Sequence, residues 1–237
     1  MNENDFLASY SPSDFERPSV AVDVSLVTVV DGSLRVLMIR RTEHPDSGKW
    51  QLPGRFLRDE SPDAAAMGAL EEKAGIRDVY VEQLYTFGSP DRDPRTRVIS
   101  IAYYALVNPV RLATDTTDVV LAEIDVPWQG EIGGGVTLRH GGEQLAVAFD
   151  HADMIAAVVK RLRGKLGYSP IGYELLPEEF SLLDLQEIHE TILGRSLNKD
   201  SFRRRMLNSG DLEATGHRQG GVGHRPAALY RYSRHSP

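Results

Sequence analysis

Val20, Val22, Val24 and Leu26 alternate with Asp23 and Ser25, and Val27–Val30 continue as a mainly apolar run. The pattern predicts a strand with one end deeply buried. Asp31-Gly32 is a hairpin signal, and Leu34–Ile39 is the returning strand. A helix is expected over about 63–74, with Ser61 as N-cap, Pro62 at its first position and Gly75 at its stop. Val79–Thr86 and Val98–Val107 read as further strands. Residues 129–143 are glycine-rich without a period, which predicts a loop or an irregular hairpin. Asp150 then opens an amphipathic helix with Met154, Ile155, Val158, Val159, Leu162 and Leu166 on one side.

The segment after residue 179 has a different pattern. Ser181 and Asp184 form a capping box, Phe180 and Leu185 a hydrophobic staple, and Leu185, Ile188 and Ile192 a buried stripe that Gly194 ends. Asn198 caps a second short helix, Lys199–Asn208, followed by apolar segments around Leu212 and Ala228–Tyr232. Between them runs a glycine-rich basic stretch from Gly216 to Arg225. Helix, turn, basic helix and basic β-loop is the order of a winged helix-turn-helix. The division expected is a tail at 1–19, an α/β domain at 20–167, a linker at 168–179 and a winged helix domain at 180–237.

Charge sharpens that division. The chain of 237 residues has a net charge of −7. From Lys199 onward eight Lys and Arg face three Asp and Glu, so this segment is +5 and the remainder −12. Such asymmetry fits an anion-binding module on an acidic body, or simply a basic, solvated C-terminus. There is no cysteine, which excludes disulfides, thiolate zinc sites and cysteine nucleophiles and suits a reducing cytoplasm. No apolar run is long enough for a membrane span, and the polar N-terminus lacks the apolar core of a secretory signal.

Leu52-Pro-Gly-Arg-Phe-Leu-Arg-Asp-Glu60 and Gly68-Ala69-Leu-Glu-Glu72-Lys73-Ala-Gly75-Ile76 resemble the Nudix box. That signature is a glycine, five residues, a glutamate, seven residues, then Arg-Glu-hydrophobic-x-Glu-Glu-x-Gly-hydrophobic. Gly54, Glu60, Leu70, Glu72, Gly75 and Ile76 keep its spacing. The resemblance implies an α/β (α+β) Nudix-like sandwich ahead of the winged helix-turn-helix. It also implies that carboxylates on the box helix would hold Mg²⁺ against a pyrophosphate. Here the box arginine is Gly68, the first glutamate Ala69 and its partner four residues on Lys73, leaving Glu72 with Glu60 outside the cluster. A lysine there repels a metal, so no metal site, no catalytic residue and no cofactor are expected.

Beyond the box, the chain resembles the Nudix-related transcriptional regulators of NAD metabolism from about residue 20 onward. The likeness includes Phe149-Asp-His151, Tyr168-Ser-Pro, Phe202-Arg-Arg-Arg205 and Arg225-Pro-Ala…Leu229-Tyr230. It implies a homodimeric repressor of NAD biosynthesis and salvage genes that binds a palindromic double-stranded DNA operator. It further implies release by ADP-ribose or a related NAD metabolite. Arg92, Arg95 and Arg97, with Arg40 and Arg41, are candidates to clamp its pyrophosphate by forked hydrogen bonds. Trp50, and Tyr103 or Tyr104, could face adenine; the two tyrosines point to opposite faces of a strand, so one is core. Some of these arginines are equally readable as surface charge.

On Lys199–Asn208 the inward pair Phe202 and Met206 sets the helical phase. Arg204 then points away from the core, with Asn208 beside it and Arg203 at the flank. Arg and Asn suit guanine and adenine edges, and Lys199 and Ser201 flank them. Thr215, His217, Arg218 and Arg225 would meet backbone or minor groove. Two other classes compete. An active ADP-ribose pyrophosphatase with an accessory domain needs the acids that Ala69 and Lys73 replace. A nucleotide-binding adaptor for a protein partner has no need of the +5 segment.

Overall fold

The computed structural model describes residues 2–112, 117–220 and 226–233. Strands β1 (Ser19–Val30) and β2 (Ser33–Arg40) form the expected hairpin. Short strands β3 (Trp50–Gln51) and β4 (Gly54–Phe56) pair with β2 and β1. Helix α2 (Pro62–Ala74) is capped by the Ser61 hydroxyl, which accepts from the Ala64 amide, and ends at Gly75 in the left-handed region. It comes after a seven-residue helix, α1 (Glu3–Ser9).

Strands β5 (Tyr80–Phe87) and β6 (Val98–Leu106) continue the sheet. They are followed by β7 (Val119–Asp125), β8 (Thr137–His140) and β9 (Glu143–Gln144), giving the order β5-β6-β1-β2-β7-β8-β9. Strands β1 and β6 are parallel along their full overlap, Ser19 beside Val98 through Val27 beside Leu106. Both are nearly continuous apolar runs because both of their faces are covered. On one face Ala65, Ala66, Ala69 and Leu70 of α2 pack on Val22, Val24, Leu26 and Tyr103. On the other lies helix α3 (His151–Lys165), whose Met154, Ile155, Val158, Val159 and Leu162 are fully buried against the sheet.

The glycine-rich segment is the irregular hairpin β8–β9 with the loop before it. Gly134 backs onto the Trp128 ring, where a Cβ would come within 2.8 Å of Cδ1. In the N-terminal segment Asn2 and Asp5 form a capping box, and Phe6, Tyr10 and Phe15 lie against one another.

The linker expected at 168–179 is folded into the core. A 3₁₀ turn, Pro170–Leu175, buries Ile171 and Leu175, and Leu176 follows them. The Asn108 amide donates to the Leu175 carbonyl at 3.2 Å. The two prolines, Pro170 and Pro177, mark a connection, and within it these three aliphatic residues gain from burial.

The second domain has α4 (Leu182–Leu193), α5 (Lys199–Asn208) and a sheet of β10 (Phe180–Ser181), β12 (Ala228–Tyr232) and β11 (Leu212–Arg218). Ser181 and Asp184 make the capping box, and Gly194 closes α4 in the left-handed region. Its core is continuous with that of the first domain. At the junction Arg163 of α3 is buried, and among the described residues no carboxylate forms an ion pair with it. Its Nε donates to the Ile192 carbonyl at 2.8 Å, and Nη1 to those of Trp128 and Gly130 at 2.9 and 3.2 Å. The guanidinium also lies 4.6 Å from the Trp128 ring.

His189 of α4 is buried edge-on to Phe202. Burial, with the charge of Arg205 behind it, lowers its pKa from 6.5 to about 4. Unfolded chains therefore bind a proton between those values that folded chains do not. Stability is full above pH 6.5 and declines as pH falls through that window. Urea unfolding is expected to show a loss of about 2 kcal/mol from His189 between about pH 7.5 and pH 5. A His189→Leu variant should lack that share of the decline.

Candidate functional site

The first site lies at the start of α3, where Phe149 holds a left-handed backbone at φ 52°. A bulky residue there is strained and persists only because its surroundings fix it. Its amide donates to Asp46 at 3.0 Å. The Arg41 guanidinium lies 4.7 Å from the ring centroid, and that of Arg95 lies 5.9 Å from it and 5.5 Å from Phe56. Two guanidinium groups and two aromatic faces thus converge, a chemistry suited to a phosphorylated, ring-bearing ligand. Arg41 is fixed by donation to the carbonyls of Pro45 and Glu43 and to Gln51. Burial and the charge of Arg95 lower its pKa. Arg95 is held by a fork onto buried Asp93, at 3.0 and 2.7 Å, and is itself exposed. The same hydrogen bonds push Asp93 down. Arg40 and Arg97 are exposed, and Trp50 is half-buried against the α3 core.

Two of the residues expected to touch ligand are placed elsewhere. Arg92 has a side chain only 5% exposed and forks onto Asp150 at 2.9 and 2.7 Å, with Asp23 3.9 Å away. Burial opposes its charge, but the Asp150 contacts outweigh it and raise the pKa. Asp150 therefore spends its carboxylate on Arg92 and makes no side-chain cap to α3. Around this pair Ser100 donates to Asp23 at 2.5 Å, and the Leu52 amide donates to His151 Nδ1 at 2.9 Å. Tyr103 is buried under α2 and donates to Asp63 at 2.7 Å; desolvation and this bond raise its pKa to about 12. Tyr104 is fully buried on the opposite face, so both rings are core. Phe149 and Phe56 offer the aromatic faces instead. Phe149-Asp-His at a helix start was a visible signal, but nothing local in sequence marks Phe56.

The box itself does not fit a divalent cation. Ala69 is buried and carries no ligand atom. Lys73 Nζ is 2.7 Å from Glu72 and holds its pKa below the usual carboxylate range. Arg55, between Gly54 and Phe56, places its guanidinium 3.2 Å from Glu60 and 4.0 Å from Glu72. Among the described residues no group of three or more His, Asp and Glu is disposed to hold a metal.

On the second domain, Phe202 and Met206 are buried and Lys199, Ser201, Arg203, Arg204 and Asn208 are exposed on α5. Among the described residues none forms an ion pair with Lys199, Arg203 or Arg204. Arg205 stacks on Phe202 at 5.4 Å. A groove of about 670 Å³ separates α5 from the wing, lined by Ser181, Lys199, Phe202, Arg203, Arg218 and Tyr230 among others. Thr215 is turned inward: its hydroxyl donates to the Leu229 carbonyl at 3.1 Å and accepts from the His217 amide. His217 is 3.0 Å from Glu179, and Arg218 donates to the Pro226 carbonyl at 3.2 Å. Arg225 lies outside the described residues.

Residues 20–128 match the NUDIX domain model, and residues 172–232 match the NrtR DNA-binding winged helix domain. The ADPR responsive transcriptional repressor NtrR of Acinetobacter baylyi is 37% identical over 235 residues, 98% of this chain and 89% of that one. The chain belongs to the NrtR family. Shewanella oneidensis NrtR, solved with a 27mer DNA, is 33% identical with a TM-score of 0.74, covering 90% of this chain and 93% of that one. Its NUDIX domain solved with ADP ribose is 29% identical with a TM-score of 0.51, covering 68% and 99%. The NrtR winged-helix match begins at residue 172, inside the folded connection, in keeping with that segment being part of the core.

In this NrtR-family chain the Arg92–Asp150 pair is a structural clamp with both partners largely out of water. Arg92→Ala is expected to cost about 3–5 kcal/mol in urea unfolding, because it strands Asp150 and Asp23 without a counter-charge.

Proposed function

We propose that the chain is a transcriptional repressor of NAD biosynthesis or salvage genes, released from operator DNA by ADP-ribose or a related NAD metabolite. The observation that carries this reading is the pairing, within one NrtR-family chain, of a Nudix domain lacking its acid cluster with an α5 face of unpaired cations. The relatives supply the ligand class: the Acinetobacter protein is an ADP-ribose-responsive repressor, and Shewanella NrtR has been solved with DNA and with ADP ribose. In the proposal the effector diphosphate lies between Arg41 and Arg95, with Phe149 or Phe56 facing a ring. Arg40 and Arg97 border it as outer charges. Lys199, Ser201, Arg203, Arg204 and Asn208 face DNA, with Arg218 and Arg225 on the wing.

We further propose a homodimer acting in the cytoplasm. One short helix reads about half a site, and dimeric helix-turn-helix proteins bind palindromes. The family's reaction is not expected here. Hydrolysis needs metal-held carboxylates, and Ala69 and Lys73 remove them, so ADP-ribose with Mg²⁺ should be turned over far below about 1 s⁻¹. Ordinary enzymatic turnover would favour the pyrophosphatase reading.

The decisive experiment is a mobility shift on DNA upstream of the chain's own gene, with and without ADP-ribose. Arg95→Ala should leave operator affinity unchanged and abolish release, since the residue lies in the first domain. Loss of both together would place the effector site elsewhere. Arg204→Ala should cost about 1–3 kcal/mol on operator and much less on random DNA, as a base-edge contact does. Lys199→Ala should weaken both DNAs alike and lower the salt slope by about one phosphate.

A further inference from the structure

Within the box frame, Arg55 occupies a position to which the signature assigns no residue type. It stands on β4 opposite Val22, whose side chain faces α2, so its own side chain runs toward that helix. There it enters the space left by Gly68. A Cβ at Gly68 would lie 2.7 Å from Arg55 Nη1. The guanidinium is therefore where the box arginine would begin, and it reaches Glu60 from the loop and Glu72 from the helix. The contact to Glu60 is one of charge rather than an aligned hydrogen bond, since Glu60 Oε1 has no hydrogen-bond partner. Lys73 supplies a second positive charge on Glu72. Two cations thus neutralise the two carboxylates the box retains.

We propose that Arg55, with Lys73, is a built-in cation that replaces the divalent metal of the Nudix box, so that this domain receives a diphosphate ligand without any metal ion. A metal bridge would tie the glycine loop to the box helix through shared carboxylates; here the guanidinium makes that tie permanently. Glu60 and Glu72 are then no longer free to ligate, and an entering divalent cation meets Arg55 within reach of both and Lys73 on Glu72. The diphosphate charge falls to guanidinium groups alone, Arg41 and Arg95 in the proposed effector site. The ligand half of this inference rests on the function proposed above; the metal half does not.

The test measures Mn²⁺ binding by electron paramagnetic resonance and ADP-ribose binding by calorimetry, in EDTA and in Mg²⁺, on the full chain. The expected results are no Mn²⁺ bound below about 1 mM and an ADP-ribose affinity changed by less than about threefold between the two buffers. Tighter Mn²⁺ binding that is lost in Glu72→Gln, or a larger dependence on Mg²⁺, overturns the proposal. Absence of ADP-ribose binding in both buffers would overturn the effector reading instead, while the Mn²⁺ result would still decide the metal half. A second arm compares the triple variant Gly68→Arg, Ala69→Glu, Lys73→Glu with the same variant carrying Arg55→Gln. Mn²⁺ should bind about tenfold more tightly once Arg55 is gone. Equal affinity would deny Arg55 its role. The measurements on the parent chain stand even if these variants do not fold.

Discussion

Helix α3 is the element on which both domains depend. Its fully buried stripe covers one face of the nine-stranded sheet, and its two ends are each fixed by a buried arginine. At the start, Arg92 reaches in from the loop before β6 to hold Asp150 beside Asp23. At the far end, Arg163 leaves the helix to cap the last turn of α4 and the Trp128 loop. The two arginines differ in kind. Arg92 is compensated by a carboxylate, and its charge is favoured. Arg163 is compensated only by carbonyl dipoles and a ring, and burial lowers its pKa. A guanidinium suits that second task because its five donors are spread over three nitrogens in a fixed plane, whereas a lysine's three donors radiate from a single atom.

The parts of the fold legible in sequence are those fixed by neighbours close along the chain. The Ser61 cap, the Ser181–Asp184 capping box, the Gly75 and Gly194 stops and the Asp31-Gly32 turn all operate over a few residues. The phase of α5 was equally readable, because Phe202 and Met206 are one turn apart and both buried. The Nudix frame was legible as spacing. Partners distant in sequence were not: Arg92 and Asp150 are 58 residues apart, and Tyr103 and Asp63 are 40 apart. Three arginines in six residues look alike until the fold shows which carboxylate each one meets. Arg92 became structure, Arg95 remained exposed on Asp93, and Arg97 stayed outside.

Charge tells the same story for the second domain. Arg205, adjacent to Arg204 in sequence, spends its guanidinium on the Phe202 ring, while among the described residues none forms an ion pair with Arg204. An arginine held by an internal partner must give that partner up before it can bind DNA; an unpaired one exchanges only solvent and counterions. The same logic sets Thr215, bonded within the β11–β12 ladder, apart from the side chains of α5. Net charge alone would have pointed the wrong way, since −7 is an average over an acidic body and a basic reader.

A ligand changes DNA affinity only if it binds two arrangements of the molecule unequally. The strained Phe149, which Arg41 and Arg95 surround, immediately precedes Asp150. Any shift of Phe149 on contact with a ligand is therefore applied to the N-cap residue of α3. From Asp150 to Arg163 the helix spans about 20 Å at its ordinary rise. Its buried stripe packs closely against the sheet along its length. Its far end is bonded to the C-terminus of α4, and α4 packs directly on α5. The two domains share one core, to which the connecting 3₁₀ turn contributes Ile171 and Leu175. Under the proposed function, a displacement at the Phe149 cluster passes through buried contacts, along α3 to Arg163 and the end of α4, toward the exposed cations of α5.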